Sequence, residues 1–187
     1  AVKKSYARSI IEEFSIRFDE NIHCLEDLLF MYQYLLHCDY LVLNHMQNYV
    51  YVKHSFSLSH RIHSFESEYC CFVKYQQLLA EMMKVWKIPA GDMVVTVNSM
   101  LVPFRRALKS DYQPDRTIPR EMRVKHLKRM ISESRDVFLK YYHPVFKTDK
   151  LGKVLLGFNC YILYDCYIRL LFRLNIGPVF YGPKHMY

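Results

Sequence analysis

Glycine is scarce in this chain, at 5 of 187 residues. Glycine supplies the positive φ angles of phosphate-cradling loops and tight hairpins. Its scarcity argues against glycine-rich nucleotide loops and against multi-turn β architectures. No GxSxG, Walker or Rossmann glycine pattern occurs, and CxxC, HExxH and CxxCH are absent as well. The familiar spacings of nucleophilic hydrolases, P-loop enzymes and zinc or haem sites are thereby removed. An apolar h-region is also missing. The N-terminus is amphipathic and carries Glu12, Glu13 and Asp19, which does not read as a signal peptide and points to an intracellular protein. The chain opens on Ala1 rather than Met, as a piece of a longer protein would. The nearest approach to a membrane span, residues 154–172, is interrupted by Asn159, Asp165 and Arg169, charges and amides that a bilayer centre penalises. It reads as the buried central helix of a bundle, with no transmembrane segment.

Cysteines number 6, an even count that would suit a disulfide framework, but their spacing does not. Cys24 and Cys38 on one helix would stand about 21 Å apart, and Cys160 and Cys166 about 9 Å apart, beyond the reach of a bridge. Cys70 and Cys71 are adjacent. Free thiols in a reducing compartment follow.

What the chain has in quantity is tyrosine and phenylalanine, 16 and 12. Half the residues are apolar, as in an ordinary globular domain. The charge is split. Residues 1–100 carry 9 Lys+Arg against 11 Asp+Glu, whereas residues 101–187 carry 17 against 7.

Apolar spacing points to helices throughout. Tyr6, Ile10, Phe14 and Phe18 mark a first helix, broken at Asp19, Glu20 and Asn21. Leu25, Leu28, Leu29, Tyr32, Leu35, Leu36, Leu43, Met46 and Val50 predict a long, nearly all-apolar second helix, followed by a Ser-rich break over 53–59. A third helix runs from Ile62 to a stop near Ile88, before Pro89. A fourth, capped by Asp92, reaches Leu108, with Pro103 kinking or dividing it; the β-prone run Val94–Val97 leaves a short strand as its alternative. Residues 110–118 read as an internal linker. A fifth helix opens at Pro119 and ends at His143, and the last spans Asp149 to Leu174. The expectation is all-α: one compact domain over 1–187, of six to seven helices, with an extended tail at 176–187. The second, third and last helices should supply most of its core.

The basic segment carries the functional expectation. Between Arg105 and Lys153 lie 14 basic and 6 acidic residues. On the fifth helix Leu127, Met130, Ile131, Ser134, Phe138 and Tyr141 share a core face, and Lys125, Lys128, Arg129, Ser132 and Arg135 lie opposite. Arg105, Arg106 and Lys109 repeat that arrangement on the preceding helix. Candidate anchors are Tyr112, Tyr141, Tyr142 and Phe146; the candidate rim is Arg105, Arg106, Lys109, Arg123, Lys125, Lys128, Arg129 and Arg135. Neither Glu12–Glu13 nor Glu66–Glu68 forms an acid–base pair. His60 and His63 could chelate from one helical face, but Cys70 and Cys71 stand too far on for a tetrahedral zinc site. The unusual carboxylate is Asp165, with Arg169 at i+4 as its expected ion-pair partner.

The function that follows is a non-enzymatic interaction domain, without metal or cofactor. It would dock an acidic or amphipathic partner segment in an apolar groove with a basic rim. The alternative is RNA or DNA backbone binding through the same cations. A third reading, a hydrophobic-ligand cavity, rests on the methionines Met82, Met83, Met93, Met100, Met122 and Met130.

Overall fold

A computed structural model describes residues 5–23, 25–42, 62–99, 101–113, 115–144, 146–174 and 176. Among these, eight α-helices and no strand are present: α1 (Arg8–Glu13), α2 (Glu26–Leu35), α3 (Phe65–Val85), α4 (Met93–Ser99), α5 (Leu101–Lys109), α6 (Arg120–Ser134), α7 (Lys147–Gly157) and α8 (Tyr161–Arg173). The fold is the expected all-α bundle.

Helix α3 is its axis. Its buried stripe includes Phe65, Tyr69, Phe72, Tyr75, Leu79 and Met82, spaced by three and four. Acidic Glu66 and Glu68 in its first turn and Lys84 in its last suit the helix dipole. It packs on α5, α2 and α6, while α8 closes the far side against α6 and α7. Phe72, Phe104, Met130 and Ile131 are fully enclosed at the centre. A satellite core of Ile16, Phe30 and Tyr34 ties α1 to α2, and Tyr6 sets its ring edge-on to both Phe30 and Tyr34.

Four boundaries differ from the sequence expectation. The first helix is short, ending where Ser15 takes a left-handed φ of 50°. The second stops at Leu35; its expected continuation over 43–50, the Ser-rich break and the tail beyond 176 lie outside the described residues. The fourth divides, with Pro103 in the opening turn of α5, where its missing N–H costs nothing. The last helix is two. Asn159 adopts φ 58° between α7 and α8, a conformation asparagine tolerates, and Arg135 takes over the carbonyls of Leu156 and Gly157 that a continuing helix would have used.

Two further differences bear on the site. Helix α6 passes into a π turn over Arg135–Leu139, which inserts one residue into the helical register. The inward position therefore moves from the expected Tyr141 to Tyr142, the buried one of the pair. The first three residues of the expected 110–118 linker belong to the core: Ser110–Tyr112 form a buried 3₁₀ turn. Arg116 ties the following segment inward by donating to the carbonyls of Ser110, Ile62 and His63 at 2.6–2.7 Å.

Candidate functional site

The basic segment from α5 to α8 is sorted by burial into two populations. The inward one pairs cations with carboxylates. Arg123 makes a bidentate contact with Asp165 at 2.6 and 2.9 Å, and the Tyr112 hydroxyl donates to the same carboxylate at 3.0 Å. Burial raises the pKa of Asp165, but the hydrogen bonds from Arg123 and Tyr112 outweigh it and leave the carboxyl below its ordinary range. Asp165 thus pairs across the bundle with Arg123 rather than within its own helix with Arg169. Burial, with Tyr164 and Asp165 nearby, pushes the Tyr112 hydroxyl far up.

Arg106 holds Glu68 with two bonds of 2.6 and 2.8 Å, and Glu68 also accepts the His63 backbone N–H. Arg105 reaches Asp149 at 2.6 Å and lies 5.8 Å from the Phe146 ring centre. Lys109 is buried next to that pair. Desolvation first, then repulsion from Arg105, lower its pKa to about 8, with Asp149 opposing. His126 presents Nδ1 to Asp111 at 2.7 Å and stacks flat on Phe65 at 3.9 Å. Tyr142 is enclosed beside Phe104, and burial raises its pKa.

Five of the twelve residues assigned to the interface, Arg106, Lys109, Tyr112, Arg123 and Tyr142, are therefore core residues. Three more are half-buried: Arg105, Tyr141 and Phe146. Arg135 is also half-buried and engaged with the end of α7, where Asn159 Oδ1 is a third acceptor. On the outer face of α6, Arg129 lies 4.1 Å over the Tyr69 ring and bonds Glu66 at 3.0 Å. Lys125 and Lys128 are exposed, with no ion-pair or hydrogen-bond partner among the described residues. The paired carboxylates Glu68 and Asp111 were not foreseen. Their signal was available, since Glu68 falls on the apolar stripe of α3, where a lone charge requires a partner.

No protein-family model, curated protein or solved structure matches this chain.

The surface holds a feature that the basic-rim expectation did not locate. Helix α8, expected to be central, buries Tyr164, Asp165, Ile168 and Leu171 and turns Leu163, Leu170 and Leu174 outward at 59%, 52% and 53% exposure. These leucines share one side of the helix, with Arg169 and Arg173 exposed beside them. Phe158 is more exposed still, at 78%. Residues 147–176 contain two carboxylates, Asp149 and Asp165, and both are held by arginines, Arg105 and Arg123. What α7 and α8 offer outward is leucine, valine and phenylalanine among Lys147, Lys150, Arg169 and Arg173.

Among the described residues, no group of three His, Cys, Asp or Glu side chains could hold a metal ion, and no helix is long and apolar enough to cross a membrane. Cys38, Cys70, Cys71, Cys160 and Cys166 form no disulfide among the described residues. A groove of about 660 Å³ lies between the 14–21 segment, α2 and α3. It is lined by Phe14, Phe18, Phe30 and Leu78 on one hand and Glu20, Glu26 and Glu81 on the other.

Proposed function

We propose that this chain is a non-enzymatic docking domain whose partner is an acidic, amphipathic protein segment laid along the outer face of α8. The observation that carries the reading is the combination on α8 of three outward leucines with Arg169 and Arg173, on helices whose carboxylates are both consumed by internal arginines. Exposed apolar area of this kind marks interaction sites. A helix with leucines on one side and Asp or Glu at its margins fits it by the helix-on-face mode. The exposed Lys125 and Lys128 on α6 extend the positive field and speed encounter with such a segment.

A fluorescently labelled amphipathic peptide of leucine and glutamate tests the reading by anisotropy. Leu170→Ser or Arg173→Glu should each weaken binding by about tenfold, since a buried leucine or a reversed charge is worth about 1–2 kcal/mol. Equal affinity in both variants would remove α8 from the interface.

Phosphate-backbone binding keeps one supporting observation, the two exposed α6 lysines. On that alternative affinity falls steeply with salt and Lys125→Glu with Lys128→Glu abolishes it, whereas the α8 substitutions leave it unchanged.

A further inference from the structure

The groove lined by residues 14–37 and α3 carries charge of the opposite sign to α8, and its charges are sorted. Arg17, the only arginine lining it among the described residues, donates to the backbone carbonyls of Ile16 and Ile11, at 2.8 and 3.3 Å. Lys74 is bound to Asp19. Glu20, Glu26 and Glu81 have no cationic or hydrogen-bond partner among the described residues. Between these carboxylates lie two apolar rings, Phe14 and Phe18, among polar side chains such as Gln33 and Gln77. Phe14 stacks on His37 and Phe18 on Phe30, yet their outer faces remain 43% and 50% exposed. The groove thus asks for an apolar ridge with cations at its margins. The outer face of α8 supplies an apolar ridge of Leu163, Leu170 and Leu174 with Arg169 and Arg173 along one margin.

We infer that the α8 face of one copy of this chain seats in the acidic groove of a second copy, leucines against Phe14 and Phe18, and Arg169 and Arg173 against Glu20, Glu26 and Glu81. The inference rests on the reading of α8 as a docking face and names its partner. A two-fold arrangement of α8 on α8 is disfavoured by charge, because it would set arginine against arginine with no free carboxylate between them. Groove and ridge are different surfaces of the chain, so the contact is head-to-tail, and each added copy exposes a new groove and a new ridge. Assembly is then concentration-dependent and weakened by salt, because the rim charges are exposed to solvent.

Sedimentation velocity on the full chain tests this. The unaltered chain should show a mass that rises with concentration at low salt and falls toward the monomer as salt is added. R169E/R173E and E20R/E81R should each be monomeric alone. Mixed in equal amounts, they should associate again, since the reversed ridge now matches the reversed groove and each partner supplies the other's complement. These four positions are at the surface, and a circular dichroism spectrum matching that of the unaltered chain is the check that both variants keep the fold. An unaltered chain that stays monomeric at low salt overturns the inference, as does association that survives either reversal, or a mixture of the two variants that fails to associate. The leucine–glutamate peptide separates the two readings. If it binds a monomeric chain through Arg173, the docking face stands and the self-pairing falls; if neither peptide nor second copy binds, both fall.

Discussion

Asp165 is completely enclosed, and its carboxylate stays ionised there because Arg123 and Tyr112 supply hydrogen bonds that water would otherwise give. Asp165→Ala leaves the Arg123 guanidinium buried without its counterion. It should cost about 3–5 kcal/mol in urea unfolding. Because the folded pKa lies below the unfolded one, the contribution is complete above the ordinary carboxylate range and is lost as pH falls through the folded value. The stability difference between parent and variant should therefore shrink in acid. Local spacing favoured Arg169 as the partner, since i+4 neighbours are visible in a sequence and a residue 42 positions away is not. Yet the sequence did hold a clue. Arg123 stands four residues before Leu127, on the same stripe as Met130, Ile131 and Ser134, so the helix points it inward rather than to the expected rim.

At the scale of elements, periodicity was reliable where the helix is amphipathic. The third helix was expected over Ile62–Ile88 and is Phe65–Val85; on α6, Leu127, Met130 and Ile131 face the core and Lys125 and Lys128 face out. It misled where residues are apolar all round. The 149–174 run offers no polar face to fix its rotation, and its break at Asn159 depends on Arg135, a residue from another helix. The α7–α8 pair also turns on one glycine. A Cβ at Gly152 would lie 3.2 Å from Cε2 of Tyr164, a buried ring with little room to retreat. Alanine is the better helix former by about 1 kcal/mol, but the clash should outweigh that gain. Gly152→Ala is expected to lower stability by about 1–2 kcal/mol, seen as an earlier thermal midpoint. Unchanged or higher stability would mean that Tyr164 moves freely.

For the whole molecule, the charge imbalance between halves was legible in the sequence, but its disposition was not. Three cations of the second half, Arg106, Lys109 and Arg123, are buried, and Arg106 and Arg123 are matched to Glu68 and Asp165, while half-buried Arg105 meets Asp149. Lys109 remains the expensive member. With a folded pKa of about 8 against 10.5, its ammonium costs stability at neutral pH. As pH rises from about 8 toward 10.5 the folded chain has released a proton that the unfolded chain still holds, so stability increases across that window. Above pH 10 the trend reverses, because burial and the bond to Glu133 hold the Tyr69 hydroxyl neutral up to about 12. Lys109→Met should abolish the rise and stabilise the chain at pH 7 by up to about 3 kcal/mol, as thermal melts across pH 7–10 will report.

The internal ties also order events during synthesis. Arg105 waits for Asp149 and Arg123 waits for Asp165, partners that lie about forty residues downstream. A nascent chain leaves the ribosome from its N-terminus, so α5 and α6 emerge with guanidinium groups that have no counterion and must stay hydrated. The seam between α6 and α8 can dry only once α8 is free of the exit tunnel. The last helix therefore acts as a completion signal for the domain: a chain halted before Asp165 keeps its core wet and open to proteolysis, and a finished one closes around Arg123.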